Sequence, residues 1–224
     1  MPSVDAMRIA IAGGHGRVAR LLSRALVDRG DVPVAIVRNL DHVADLQSDG
    51  AEPVVLDLES ALVGDVADAV AGADAVVFAA GAGPGSGAAR KDTVDRGAAA
   101  LLADAAEQAG VRRYVLVSSL GADAPPPPGT DDVFAAYLLA KGASEADLRR
   151  RELDWTILRP GALTDDEPRG LVELAPDVER GSVPRADVAA VLAALLHEPA
   201  TVGLALELVS GSTPVDEAVR AAAA

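Results

Sequence analysis

The sequence predicts an α/β fold: a doubly wound parallel sheet with helices on both faces and a short C-terminal extension. Three observations predict it. Short β-branched runs without polar alternation recur along the chain, as strands covered on both faces require. Longer segments with apolar residues at three- and four-residue spacing lie between them. A glycine-rich turn joins the first such run to the first helix. Parallel neighbours need crossover connections of one hand, so the alternation itself specifies a sheet between two helix layers.

In chain order, residues 8–12 (RIAIA), 33–37 (PVAIV), 53–56 (PVVL), 75–79 (AVVFA), 114–117 (YVLV) and 155–158 (WTIL) read as six strands. Val18, Leu21, Leu22, Ala25 and Leu26 mark the first helix, which Gly30 stops. Residues 98–109, ended by Gly110, and 132–151 read as further helices. The tail holds a strand at 171–174, a helix at 185–197 (RADVAAVLAALLH), a strand at 204–209 and a terminal helix at 215–223. Loops 81–87 (GAGPGSG) and 121–130, with four consecutive prolines, follow the carboxyl ends of strands, where ligands bind in this architecture. Residues 8–224 read as a single domain whose part from about 162 onward covers the substrate side. Residues 1–7, ahead of or at a second start at Met7, read as an extension.

Composition narrows the function. The chain has 224 residues, no cysteine and a formal net charge of −14. A disulfide scaffold and a thiolate metal site are excluded, and a basic footprint for nucleic acid is missing. No apolar run approaches the ~20 residues that cross a bilayer, and the N-terminus lacks the pattern of a signal peptide, so the expected location is the cytoplasm. The 20 basic residues are arginines except for Lys91 and Lys141. The three histidines share no ligand spacing and predict no metal site; His42 and His197 read as exposed.

The turn reads Ala12-Gly13-Gly14-His15-Gly16-Arg17-Val18-Ala19. Gly13 permits a tight turn, Gly16 lets a pyrophosphate reach the backbone, and Ala19 keeps helix and strand close, the Rossmann-like signature of a dinucleotide site. An acidic residue usually ends the second strand where the cofactor is NAD. Here Arg38 follows Val37, and with Arg17 it suits a 2′-phosphate, so NADP is preferred, while Asp41 and Asp45 keep NAD open.

Tyr137 and Lys141 lie four apart on one helix face. An ammonium beside a phenol favours the phenolate, so Tyr137 can exchange a proton with a carbonyl or alcohol while hydride moves.

With the glycine loop, the strand ending Ser118-Ser119, Tyr137/Lys141 and the run Leu158-Arg159-Pro160-Gly161, the chain from about 8 to 212 resembles the short-chain dehydrogenases/reductases. More narrowly, it resembles their atypical NAD(P)-dependent epimerase/dehydratase-like, NAD(P)H-binding branch, and also the flavin/biliverdin reductases. The resemblance implies Gly13, His15, Gly16, Arg17 and Val18 at the pyrophosphate and Arg38 at the adenosine ribose or its phosphate. It implies Asp57 and Leu58 beside adenine, Ala79, Ala80 and Gly81 along the ribose and nicotinamide, and Pro160 near the nicotinamide. Tyr137 becomes the acid/base, Lys141 its partner and a ribose ligand, and Ser119, ahead of Ser118, the hydroxyl that orients the substrate oxygen.

Two features depart from the family. Asp95 stands where it usually has asparagine, adding negative charge that Lys91, one turn earlier, could offset; the plainer reading of Lys91 and Asp95 is a surface helix pair. Only 63 residues follow Gly161, too few for the domain that holds a sugar nucleotide. The sequence therefore predicts an NADP(H)-dependent oxidoreductase acting on a small carbonyl, quinone or flavin-like acceptor. The alternative is a non-catalytic NADP(H) sensor. The substrate and the oligomeric state are not legible.

Overall fold

The computed structural model describes residues 6–83 and 85–224. Residues 1–5 of the expected extension and Pro84 of the 81–87 loop lie outside the described residues. Met7 is tied into the fold, its backbone N–H donating to Asp31 at 3.0 Å.

The strands are β1 (Arg8–Ala12), β2 (Val32–Val37), β3 (Glu52–Val55), β4 (Ala75–Phe78), β5 (Arg113–Val117), β6 (Asp154–Pro160), β7 (Ala162–Thr164), β8 (Leu171–Ala175), β9 (Ser182–Pro184), β10 (Ala205–Ser210) and β11 (Thr213–Pro214). The helices are α1 (Arg17–Arg29), α2 (Val43–Ser48), α3 (Val63–Val70), α4 (Ala88–Arg90), α5 (Ala99–Ala109), α6 (Asp132–Leu148), α7 (Arg185–Leu196) and α8 (Val215–Ala222). A π-helical segment, Lys91–Ala98, joins α4 to α5.

The central sheet has nine strands in the order β11-β8-β10-β6-β5-β4-β1-β2-β3. From β3 to β10 every pairing is parallel, as the alternation predicts. β8 and β11 close one edge antiparallel. The chain reverses direction across the sheet between β1 and β4, which opens a crevice at their carboxyl ends.

Successive side chains of one strand enter opposite cores. Ile9 and Ile11 pack with Leu22, Leu26 and Leu192 under α1 and α7, while Ala10 and Ala12 pack with Val66 and Leu102 under α3 and α5. Both faces are thus covered, which is why these strands lack polar alternation.

Three departures from the sequence reading concern short or composite elements. β7, β9 and β11 have two or three residues, too few to show a period in the sequence; β7 and β9 pair with each other beside the crevice. The helix expected from 98 instead begins at Ala88 and passes through the π-helical segment. α6 stops at Leu148 rather than 151. No helix of the described residues is long and apolar enough to cross a membrane.

Candidate active site

The crevice starts where β1 turns into α1. Gly13 has φ 77°, and a Cβ there would lie 2.6 Å from Ala80 Cα, so only glycine lets this turn rest against the end of β4. A Cβ on Gly14 would meet Ala35 of β2 at 2.6 Å, so this glycine serves packing, not a ligand. α1 has no side-chain cap and no acid in its first turn. Its positive end faces the crevice without a competing carboxylate. The cradle therefore fits a dinucleotide pyrophosphate on its own geometry.

Two cavities continue from this turn in opposite directions and share Gly16 and the wall Ala79, Ala80, Gly81, Ala82 and Gly83. The smaller, about 340 Å³, is lined by Gly13, His15, Arg38, His42, Asp57, Leu58, Glu59 and Arg90 among others. Arg38 approaches Glu59 at 3.3 Å, and Arg90 donates to the same carboxylate at 2.7 Å. Thr93 adds a hydroxyl at 3.0 Å. Arg90, followed by Thr93 and Arg38, holds the Glu59 carboxyl below the usual range. Two guanidiniums thus share one carboxylate at the edge of this cavity.

His42 is not exposed on its own but stacks on His15, centroids 3.6 Å apart and planes 8° from parallel. His15 Nε2 lies 2.8 Å from Asp45. His197 likewise is not exposed: it sits against buried Asp31 at 2.8 Å, far from the crevice. Arg17 lines neither cavity; its guanidinium pairs with Asp165, which also holds Arg185 at 2.7 Å.

The larger cavity, about 680 Å³, gathers Val18, Lys91, Asp95, Ser119, Tyr137, Lys141, Pro160 and Arg185, with an apolar rim of Val133, Phe134 and Leu163. Here the structure corrects the reading of Lys91 and Asp95 as a surface pair. Asp95 is fully buried and Lys91 only 8 % exposed, because the π-helical segment turns both inward. The charge on Asp95 is met by Lys141 at 3.3 Å, not by Lys91. Asp95 Oδ2 accepts the Ala82 N–H at 3.2 Å, whereas Oδ1 has no hydrogen-bond donor among the described residues. Lys141 also donates to the Val117 carbonyl at 2.9 Å and lies under the Tyr137 ring, 5.9 Å from its centroid. Gly81 stays small because a Cβ would press on Asp95 Oδ1 at 3.1 Å.

The two serines after β5 divide. Ser118 donates to buried Glu145 at 2.6 Å, and Arg159 grips the same carboxylate, with Nε at 2.9 Å. Arg159 also holds Asp123 of the proline-rich loop at 2.6 Å. Ser118 is therefore occupied in a cluster tying α6, β6 and that loop together, while the Ser119 hydroxyl has no such partner among the described residues. The other tyrosine, Tyr114, is buried, donates to the Ala99 carbonyl at 3.1 Å, and has its phenol pushed well up by burial.

Sequence reasoning missed Glu59, Arg90, Phe134, Glu145 and Arg185. Of these only Glu145 carried a signal, one turn beyond Lys141 on the same helix.

The NAD(P)H-binding family matches residues 13–199. The UPF0659 protein YMR090W of Saccharomyces cerevisiae is 35% identical over 223 residues, covering 96% of this chain and 98% of the yeast protein. The uncharacterized sugar epimerase YhfK of Bacillus subtilis is 34% identical over 215 residues, 96% of this chain and 99% of its own. Among solved structures, a Bacillus halodurans protein proposed to be an NAD-dependent epimerase/dehydratase superposes with TM-score 0.90 at 37% identity, over 96% of this chain and all of its own. The oxidoreductase ylbE of Lactococcus lactis gives TM-score 0.84 at 28% identity, over 96% of each chain.

Proposed function

Because the chain belongs to the NAD(P)H-binding family, we propose that it is an NADP(H)-dependent oxidoreductase of the atypical short-chain dehydrogenase/reductase kind, a single domain acting on a small carbonyl, quinone or flavin-like acceptor. One observation carries this reading: Tyr137 and Lys141 stand in the larger cavity, which is continuous with the glycine cradle through Ala79 to Gly83. The adenosine half of the cofactor belongs in the smaller cavity, with Asp57 and Leu58 beside the base. Arg38, joined by Arg90, would hold a 2′-phosphate through paired N–H donors, drawn off Glu59 as the phosphate enters. Arg17, turned toward Asp165, supports the cradle from outside.

When bound, NADPH supplies the hydride that adds to the acceptor carbonyl carbon. Tyr137 gives its phenolic proton to the acceptor oxygen, and Ser119 orients that oxygen. Lys141, fixed by Asp95 and the Val117 carbonyl, positions the phenol and the nicotinamide ribose. Pro160 and Gly161 wall the nicotinamide side. β8, β10 and β11 extend the central sheet instead of forming a separate unit, which argues against a sugar-nucleotide substrate despite the name of the Bacillus subtilis relative.

Thermal shift with NADP, NADPH, NAD and NADH tests the cofactor. At one hundred times its dissociation constant a ligand stabilises by about 2.7 kcal/mol. NADP and NADPH shift the transition most; no shift with any of the four overturns the reading. A second reading, a non-catalytic NADP(H) sensor, is favoured by one fact: Asp95 consumes the charge of Lys141. A sensor distinguishes NADP from NADPH in affinity and oxidises no NADPH with menadione, whereas the enzyme turns over.

A further inference from the structure

The charged groups facing the larger cavity are Lys91, Asp95, Asp131, Lys141 and Arg185. All but one are matched. Asp95 pairs with Lys141, Asp131 accepts the Val133 and Phe134 N–H groups at 3.0 and 3.1 Å as the cap of α6, and Arg185 shares Asp165 with Arg17. Lys91 alone has no carboxylate among the described residues; its ammonium donates to the Gly83 carbonyl at 3.0 Å and lies 5.4 Å from the centre of the Tyr137 ring. It is also one of two lysines in a chain with net charge −14 and many acids to spare. Burying a cation costs free energy unless an anion or strong acceptors meet it, and one carbonyl meets it only in part. Lys91 lines the larger cavity.

The rim adds shape to this charge. Phe134 stacks on Tyr137 with centroids 5.9 Å apart and an interplanar angle of 24°. Phe134, Val133 and Leu163 are 48%, 38% and 39% exposed while lining the same opening. Aromatic and branched apolar faces left in water beside a single cation without a carboxylate suit a flat apolar body with one fixed anionic group.

From these observations we propose that Lys91 is an anion-binding residue of the acceptor site and that the acceptor is a planar, conjugated carbonyl compound bearing a carboxylate. The inference rests on the reading of the larger cavity as the acceptor site. In the reaction, hydride from NADPH adds to the carbonyl carbon and the Tyr137 proton to its oxygen, giving the alcohol and NADP⁺. The carboxylate is unchanged and stays on Lys91.

The test is calorimetric titration of the NADP-saturated protein with 2-naphthoate and with its neutral counterpart 2-naphthamide. Wild type binds the carboxylate at least about tenfold tighter, the scale of a charge-assisted hydrogen bond. Lys91→Met abolishes that preference, Lys91→Arg keeps most of it, and Arg185→Met leaves it. Equal binding of the two probes by wild type overturns the proposal, as does a preference that survives Lys91→Met or vanishes in Arg185→Met. A retained NADPH thermal shift shows that Lys91→Met is folded. If no nicotinamide nucleotide binds at all, the oxidoreductase reading fails by itself. The same titration on the nucleotide-free protein then still decides whether Lys91 takes an anion.

Discussion

At the smaller cavity of the crevice Arg38 and Arg90 meet Glu59 from the surface, while at the larger cavity Lys141 and Asp95 pair at 3.3 Å with almost no exposure to water. The groups are chemically alike, and their surroundings make them unequal. Exposed ion pairs gain little because water and salt screen them, so they can let go of each other when a phosphate arrives. A buried pair cannot trade partners at low cost, because either ion left alone is strongly penalised. The first arrangement suits an exchangeable binding site and the second a fixed framework for chemistry.

Tyr137→Phe gives the largest separation of the two ends. Loss of the proposed proton donor lowers turnover by about 100- to 10,000-fold. NADPH affinity, read by titration, changes much less, because the ring and its neighbours remain. Comparable losses in turnover and affinity would show that the two ends do not act separately.

Next comes the buried pair. Asp95→Ala leaves Lys141 inside the protein without its carboxylate and costs about 3–5 kcal/mol of folding stability. Asp95→Asn, which keeps an acceptor for the Ala82 N–H, costs less. Chemical denaturation of the two variants checks the order, and equal stability of Asp95→Ala and wild type would remove Asp95 from the framework.

Arg38→Ala acts at the other end. It weakens NADP by about five- to tenfold, a charge-assisted contact discounted for exposure, and leaves NAD nearly unchanged. Glu59→Gln does the reverse for NADP, since it removes the one carboxylate that the two arginines share.

What could be read in advance follows the same division. The alternation of apolar runs reports burial on both faces of a strand, a local property, so the six main strands and the glycine turn are legible along the chain. β7, β9 and β11 exist only because partners arrive from elsewhere, and two or three residues carry no period. At the site, the four-residue spacing of Tyr137 and Lys141 is visible. The pairing of Lys141 with Asp95 is not, because it depends on a π-helical register that turns Asp95 inward and on two helices meeting. Likewise the spacing of His15 and His42 says nothing of their stacking, and Arg17 turns to Asp165, far away in sequence.

Asp49 combines the two regimes: its carboxylate is buried, yet both partners, Arg20 and Arg24, reach it from the surface. Burial by itself raises the Asp49 carboxyl, but the hydrogen bonds from Arg20 and Arg24 outweigh it and hold the group below its ordinary value. A depressed carboxyl contributes stability that is complete above its unfolded value, near about 4, and is lost as pH falls through the lower folded value. Wild type should therefore be more stable than Asp49→Asn by a constant margin from about pH 5 to neutrality, of about 1–3 kcal/mol. The margin should shrink as the pH drops below about 4. Thermal denaturation of both proteins across that range measures it. A margin that grows on acidification would mean that burial, not the two arginines, governs Asp49.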